Sequence, residues 1–159
     1  MKQIYPCIWM DNEAEEAANF YVSVFPNSKI IRTEKYLTDT PSNKPIGSVL
    51  TVEFELDGNK FMILNGGTFF KVSEAVSFVI PCKDQKEMDY YYDKLSADPS
   101  AEICGWLKDK FGVSWQLNPQ FLIDTMDSSD EDKKKRVFAA LLEMKRLNVA
   151  ELEAAANAS

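Results

Sequence analysis

The 159-residue sequence contains no histidine. This absence excludes Ser-His and Cys-His nucleophile pairs, histidine-ligated zinc and iron centres, and histidine general bases. With 45% hydrophobic and 27% charged residues, the composition is otherwise that of an ordinary globular protein. A chain of this length buries enough surface to fold without a disulfide or a structural metal. Any chemistry that it performs must therefore use other side chains.

Basic residues are also scarce. The sequence has 18 Lys and Arg against 25 Asp and Glu, which gives a formal net charge of -7. Nucleic-acid binding depends on neutralising phosphates, and the single basic run, residues 133–136, follows three acidic residues and is typical of a solvated helix face. No stretch approaches the roughly 18–20 apolar residues of a membrane span. We therefore expect neither a nucleic-acid partner nor a membrane partner.

Cysteine is infrequent as well. The chain has three, Cys7, Cys82 and Cys104, and no pair has the Cys-x-x-Cys spacing of many zinc and redox sites. Reduced thiols are typical of cytoplasmic proteins, so we predict a cytoplasmic location. Without an activating histidine, Cys104 is expected to be structural rather than nucleophilic.

What the sequence does contain is an internal repeat. An apolar stretch at 8–10 leads into an acidic helix start at 12–21, and a shift of 71 residues reproduces this pattern at 79–81 and 83–92. A second similarity, at an offset of 53, aligns 61–65 with 114–118. Alternating and helical periodicities predict one strand, one helix and three further strands in each copy, so that a βαβββ module occurs twice.

The predicted elements give the organisation of the chain. Asn12-x-x-Glu15 and Asp84-x-x-Glu87 resemble capping boxes that begin the two helices. The predicted strands cover 4–10, 29–36, 48–56 and 60–65, then 76–82, 102–104, 106–108 and 113–118. We predict a single domain over 1–119, made of modules 1–67 and 75–119, followed by a C-terminal helical extension over 120–159.

In that extension, Ser128-x-x-Glu131 predicts an amphipathic helix over 130–146, and Asn148 a short last helix. The apolar face of the 130–146 helix packs either on its own domain or across a dimer interface. The sequence leaves both alternatives open.

Several strings resemble a known family. Twin βαβββ modules resemble the vicinal oxygen chelate superfamily of glyoxalases, bleomycin-resistance proteins and extradiol dioxygenases. The strings at 6–10, 16–21, 54–58, 64–67 and 104–116 are similar to its PhnB-like branch, whose members are often labelled 3-demethylubiquinone-9 3-methyltransferase. The resemblance implies an α+β fold, the glyoxalase/bleomycin resistance/dioxygenase fold, in which each module's curved sheet forms half of a cleft.

In that superfamily the first and last strands of each module carry metal ligands, typically His or Gln and Glu. Carried over to this chain, the four positions fall on Pro6, Ile63, Ser77 and Gln116. The resemblance therefore implies that the metal site is lost, and we expect no metal and no cofactor. Gly66-Gly67 follows a strand, but the next residues do not resemble a helix start, so a loop for S-adenosylmethionine is not expected.

Strand alternation predicts which side chains line the cleft. If Gln116 points inward, Trp115 and Leu117 face the helices, and the offset of 53 places Phe61, Ile63 and Asn65 inward. The predicted ligand-binding residues are Thr51, Glu53, Asn65, Ser77, Phe78, Trp106, Ser114, Gln116 and Asn118, with Trp9 as a further aromatic wall.

Three functions remain open, and no catalytic residue is identified. The first is a metal-free homodimer that binds a small-molecule ligand in its cleft. The second is an enzyme of the same fold whose substrate coordinates a divalent metal held by Glu53 and Gln116. The third is the methyl transfer that the family label names.

Overall fold

The structure is a computed structural model that describes residues 4–158. The chain divides into two compact units, one ending at Val72 and the other beginning at Ser73. We call them unit 1 and unit 2. The two predicted modules fall in different units, and the C-terminal extension belongs to unit 2.

Unit 1 is a four-stranded sheet with one helix. Its elements are β1 (Cys7–Met10), α1 (Ala14–Val24), β2 (Lys29–Lys35), β3 (Val49–Leu56) and β4 (Asn59–Asn65). The strand order is β1-β4-β3-β2, with β1 parallel to β4 and the other neighbours antiparallel. Asp57 and Gly58 join β3 to β4 with positive φ angles of 46° and 78°, as a type I′ hairpin turn requires. The predicted βαβββ order is confirmed in this unit.

Helix α1 covers one face of that sheet. Its buried side chains are Ala14, Ala17, Ala18, Tyr21 and Val24. The small alanines let the helix approach the sheet closely, and the Tyr21 ring stacks on Phe54 of β3 with centroids 6.2 Å apart. The predicted capping box at Asn12 is wrong, because the N-cap is Glu13 and its side chain makes no capping bond.

Unit 2 repeats the same frame with one strand fewer. It contains β5 (Ser77–Cys82), α2 (Gln85–Leu95), a 3₁₀ turn (Pro99–Ala101), β6 (Trp106–Lys108) and β7 (Ser114–Pro119). The strand order is β5-β7-β6, and β5 is parallel to β7. The side chain of Asp84 accepts a hydrogen bond from the Glu87 N–H at 2.8 Å, so the predicted cap of α2 is confirmed.

The strand predicted over 102–104 does not form. Pro99 begins the 3₁₀ turn, and the consecutive positive φ angles of Cys104 (50°) and Gly105 (87°) reverse the chain immediately afterwards. Only a single bridge, between Ile103 and Trp106, remains. Because the extended run is interrupted at both ends, unit 2 is βαββ rather than βαβββ.

Three helices complete unit 2. They are α3 (Gln120–Asp127), α4 (Glu131–Leu142) and α5 (Val149–Asn157). Asn148 caps α5 as predicted, whereas α4 is capped by Asp130 and ends at Leu142, earlier than predicted. The segment packs on its own unit: Leu147 is buried beside Gly105, and the guanidinium of Arg146 donates to both carboxylate oxygens of the buried Glu102 at 2.7 and 2.8 Å.

Candidate functional site

Each sheet has two faces, one of which packs against a helix: α1 in unit 1 and α2 in unit 2. We call the opposite face of each sheet its distal face. Side chains alternate between the two faces along a strand, and directly paired residues share a face. The register of the ladders therefore assigns every predicted site residue to one face.

Five predicted residues of unit 2 share its distal face. In the ladders, Ser77 pairs with Ser114, and Trp106 with Gln116. The Gln116 side-chain amide donates to the Ser77 hydroxyl at 2.8 Å. Asn118, two residues along β7, lies on the same face. The expected faces of Trp115 and Leu117 are also confirmed, because both are buried on the side of α2.

Phe78 does not belong to this group. It pairs with Trp115 on the helix side of the sheet, and the two rings are 5.4 Å apart. Since Phe78 is adjacent to Ser77 in an extended strand, the two side chains point to opposite faces. The prediction that both line one cleft is wrong.

In unit 1 the predicted face is correct for the two residues of β3 and wrong for Asn65 of β4. Thr51 and Glu53 lie on the distal face of β3, opposite in register to Leu64 and Met62. Asn65 lies on the helix face. Its side-chain oxygen accepts from the first N–H of α1, that of Ala14, at 2.9 Å, and its amide donates to the Val49 carbonyl at 3.1 Å.

A one-residue slip explains this error. The repeat offsets of 71 and 53 equate the pair Ile8 and Ile63 with Val79 and Gln116. In the structure, the helix-facing pair of unit 2 is Ile80 and Leu117, so the strands correspond at offsets of 72 and 54. A shift of one residue moves every side chain of a strand to the other face. Phe61, Ile63 and Asn65 were therefore assigned to the wrong face.

The metal site that the superfamily implies does not fit these residues. Pro6 and Ile63 have no donor atom in their side chains. At the corrected offsets of 72 and 54, Ser77 and Gln116 correspond to Tyr5 and Met62, neither of which is a His, Gln or Glu. Ser77 and Gln116 are hydrogen-bonded to each other. Within residues 4–158, no three Cys, Asp or Glu side chains are grouped so that they could hold a metal ion. These residues therefore do not form a metal site of the kind that the superfamily implies.

Glu53 is held by two cations. Its carboxylate is 2.5 Å from Arg32 Nη2 and 2.8 Å from Lys60 Nζ, and only 3% of the residue is exposed. Hydrogen bonds from Lys60 and Arg32 lower the pKa of Glu53 below its usual value. The arrangement keeps Glu53 ionised and occupied, which is the environment of a structural ion pair rather than of a general base.

Unit 1 contains a cavity of about 670 Å³. Its lining residues come from three strands and two connecting segments. They are Trp9, Tyr36, Thr40, Pro41, Ser42, Leu50, Leu64, Gly66, Gly67, Thr68 and Phe69. Of these residues, the sequence predicts only Trp9 as part of a ligand site.

The loop between β2 and β3 forms one wall of this cavity. The buried Tyr36 hydroxyl donates to the Asn65 carbonyl at 2.5 Å and lies 3.0 Å from the Ser42 hydroxyl. Lys44 binds the carboxylate of Asp11 and, at 2.7 Å, the side-chain oxygen of Asn12. These contacts fix the loop to the segment between β1 and α1.

Trp9 and Gly66-Gly67 form the opposite wall. The Trp9 indole N–H donates to the Gly67 carbonyl at 2.7 Å, and Phe70 meets the indole edge-on with centroids 5.0 Å apart. A Cβ on Gly66 would lie 2.3–2.5 Å from the indole ring, so only glycine fits there. One feature of the sequence indicates this wall, the glycine pair directly after β4. That strand is the neighbour of β1, which carries Trp9.

A smaller cavity, of about 340 Å³, lies in unit 2. Two of the predicted residues, Trp106 and Ser114, line it. The full lining is Glu74, Ala101, Ile103, Trp106, Leu107, Lys108 and Ser114. It differs from the first cavity in containing an ion pair, between Lys108 and Glu74.

The three cysteines, all within the described residues, are free thiols. Cys82 is buried, and burial raises its pKa to about 12. A thiol that keeps its proton at neutral pH is a poor nucleophile. Among residues 4–158, no helix combines the length and the apolar character needed to cross a bilayer.

Comparisons with known proteins agree with this fold. A family model described as 3-demethylubiquinone-9 3-methyltransferase matches residues 2–118. A structure from Bacillus cereus, described as a 3-demethylubiquinone-9 3-methyltransferase and PhnB protein, is 31% identical, with a TM-score of 0.61; the match covers 74% of this chain and 99% of that one. A comparison with curated proteins finds no match.

Two further structures are more distant in sequence. The protein PA1353 from Pseudomonas aeruginosa is 16% identical, with a TM-score of 0.56 over 75% of this chain and 98% of that one, and has the same fold. A glyoxylase/bleomycin resistance protein/dioxygenase domain from Frankia sp. EAN1pec is 10% identical, with a TM-score of 0.43 over 75% and 92% of the two chains. The chain belongs to the 3-demethylubiquinone-9 3-methyltransferase family and is PhnB-like.

Proposed function

We propose that this chain binds a small, uncharged molecule with an aromatic or otherwise apolar body in the unit 1 cavity, without a metal ion. The observation that carries the proposal is the cavity itself, with its volume of about 670 Å³. Small-molecule sites typically measure roughly 300–1,000 Å³ and combine apolar walls with a few placed polar groups. This cavity has that size and that composition.

The lining favours an uncharged ligand. Its lining includes the hydroxyls of Thr40, Ser42 and Thr68, and no charged side chain contributes to it within the described residues. The nearby Lys44 is already paired with Asp11. Because a buried charge without a partner is costly, an ion would bind poorly here. Trp9 and Phe69 supply ring faces for a planar body.

A metal-dependent enzyme has less support. That hypothesis needs Glu53 and Gln116 as ligands. Glu53 is bound by Arg32 and Lys60, and Gln116 by Ser77. A metal ion would have to displace both cations from the Glu53 carboxylate. Elemental analysis of protein purified without chelators tests the point, and a stoichiometric divalent metal would revive the hypothesis.

Methyl transfer, which the family description names, is a separate hypothesis. Rossmann-like cofactor sites place a glycine-rich turn between a strand and a helix. Here Gly66 and Gly67 lead from β4 into a turn, and Gly66 packs against the indole of Trp9. We expect no binding heat when S-adenosylmethionine is titrated in a calorimeter at millimolar concentration. A saturable heat would support the family description.

A homodimer and a cytoplasmic location are further parts of the proposal. The family resemblance supports the dimer, and Phe138 and Leu142 leave exposed apolar surface on α4. The three free thiols support the location. Light scattering should give twice the 18.1 kDa mass of one chain. A monomer mass at micromolar concentration would contradict the dimer.

The three tryptophans allow a direct test of the ligand site. Trp9 lines the unit 1 cavity, Trp106 lines the unit 2 cavity, and Trp115 is buried with its indole N–H bonded to Asp109 at 2.8 Å. Naphthalene-2-carboxamide, an uncharged planar probe, should shift the Trp9 indole signal in a ¹⁵N NMR titration. The signal of Trp115 should stay in place.

A matched pair of exposed residues controls this experiment. Phe69 lines the cavity and Leu37 does not, and both side chains are largely exposed. Phe69→Ala should weaken binding about two- to tenfold, the value of one aromatic contact. Leu37→Ala should leave binding unchanged. The proposal fails if Trp9 does not respond to the probe, or if the two variants bind it equally weakly.

A further inference from the structure

The unit 2 cavity has an apolar floor and a charged rim. Trp106 and Leu107 belong to β6, and Ala101 and Ile103 come from the segment before it. Ile103 is exposed although it is a large apolar side chain. Lys108, at the end of β6, is the cation of the rim. Its position is set by the ladder, in which it pairs with Ser114.

The carboxylate that faces this lysine comes from outside the sheet. Glu74 lies in the segment that precedes β5, and its side chain is 62% exposed, against 28% for Lys108. The hydrogen bond between them lowers the pKa of Glu74 and raises that of Lys108, so both are charged at neutral pH. Exposed ion pairs of this kind are weak. Glu74 is therefore easily displaced, whereas the backbone of Lys108 is held in the ladder. Asp98 acts on Lys108 through a weaker electrostatic interaction than Glu74 does.

We infer that the unit 2 cavity is a second ligand site, which takes a small aromatic carboxylate. The acid group of the ligand binds Lys108, and its ring lies against Trp106 and Ile103. Glu74 occupies the acid position when no ligand is present. The volume of about 340 Å³ suits a molecule of one or two rings. This site is independent of the one proposed in unit 1, which has no cation in its lining.

Glu74 then acts as an internal competitor. A site that is open for only a fraction of the time binds its ligand more weakly by that fraction. Replacing Glu74 by glutamine removes the competing charge while keeping the size of the side chain. If the ion pair between Lys108 and Glu74 had only a structural role, Glu74→Gln and Lys108→Gln would change ligand binding in the same direction, because both substitutions break the same pair.

Naphthalene-2-carboxylate is the probe for this site, with the Trp106 indole signal as its reporter. Wild-type protein should show a saturable shift at millimolar concentration. Glu74→Gln should bind about three- to tenfold more tightly, because the competitor is gone. Lys108→Gln should bind at least about tenfold more weakly, since it loses a charge-assisted hydrogen bond. The matched control, Lys110→Gln, lies outside the lining and should bind like wild type.

Several results would overturn the inference. They are the absence of a saturable Trp106 shift in wild type, unchanged or weaker binding by Glu74→Gln, and undiminished binding by Lys108→Gln. Lys108→Arg keeps the charge and must retain binding, which separates loss of the site from loss of the fold. An equal Trp106 response to the uncharged carboxamide would make the site apolar only. Trp9, read in the same spectra, reports separately on the unit 1 site.

Discussion

The two units share one frame and use it for different cavities. In both, the first strand is followed by a helix, and the last strand pairs in parallel with the first. Unit 1 adds β2 and a loop over 36–48, and residues of that loop line the large aromatic cavity. Unit 2 replaces that strand by a 3₁₀ turn and has a smaller cavity with an ion pair. The repeated frame sets the sheets, while the connecting segments determine what each unit can bind.

Each unit also buries one glutamate, and the two glutamates have different structural roles. Glu53 of unit 1 binds Arg32 and Lys60 within its own sheet. Glu102 of unit 2 binds Arg146 and the hydroxyl of Ser96, and thereby connects the C-terminal segment to the sheet domain before it. A buried carboxylate is in both cases satisfied by a cation, as burial requires.

The largest effect is expected where the C-terminal segment meets unit 2. Leu147 is 1% exposed and would touch any side chain added at Gly105, whereas Leu37, in the loop after β2, is 87% exposed. Leu147→Ala should lower the free energy of unfolding by about 2–5 kcal/mol, the cost of a cavity in a packed core. Leu37→Ala, the matched control, should cost less than about 0.5 kcal/mol. Urea denaturation followed by circular dichroism measures both, and equal losses would mean that the segment is not part of the unit 2 core.

A smaller effect, confined to unit 1, is expected for Gly66→Ala. The added Cβ would lie 2.3–2.5 Å from the Trp9 ring, so the indole must move. We expect a loss of about 1–3 kcal/mol in unfolding free energy from overpacking, with weakened carboxamide binding. Binding of the carboxylate in unit 2 should not change. In a Trp9→Leu background the same substitution should cost less, because the clashing ring is absent. Equal costs in both backgrounds would place the strain elsewhere.

The buried glutamates predict how stability depends on pH. Hydrogen bonds to cations lower the pKa of Glu53 and of Glu102 in the folded chain. The stability that each contributes is therefore present above the ordinary carboxyl pKa and is lost as the pH falls through the lowered value. Urea unfolding at a series of acidic pH values should show a shallower decline in Glu53→Gln and in Glu102→Gln than in wild type. A parallel decline in all three would show that other groups dominate.

Thiol labelling is expected to perturb the protein least. It tests which strand residues lie on the distal face and which on the helix face. Cys7 is exposed on the distal face of β1, although partial burial of its thiol raises its pKa, whereas Cys82 is buried on the helix face of β5 with its pKa raised to about 12. Iodoacetamide at pH 8 should therefore modify Cys7 long before Cys82 in the folded protein, as mass spectrometry would detect. Denaturation should abolish the difference. Rapid labelling of Cys82 under native conditions would contradict its place in the core.

The sequence predicts the regular elements well and the site poorly, for a physical reason. Helix α2 is predictable because Met88, Tyr91, Tyr92 and Leu95 recur at helical spacing and are all buried. The predicted face of β4 is wrong because a repeat with few identities can be aligned one residue out of register. A shift of one residue moves every side chain of a strand to the other face of the sheet.

The unit 1 cavity could not be predicted in the same way. Thr40, Pro41 and Ser42 reach it from a loop, and Thr68 and Phe69 from a turn, so no periodicity marks them. Loop residues meet at a site through tertiary contacts, such as that of Lys44 with Asp11, which leave no regular pattern in the sequence.

One titration tests the difference between the two units most directly. Naphthalene-2-carboxamide and naphthalene-2-carboxylate share one ring system and differ in charge, and each is added to the ¹⁵N-labelled chain while the three indole signals are followed. We predict that the carboxamide shifts Trp9, that the carboxylate shifts Trp106, and that Trp115 stays in place with both. If both probes shift the same tryptophan, or neither shifts any, the two units do not carry two chemically distinct sites.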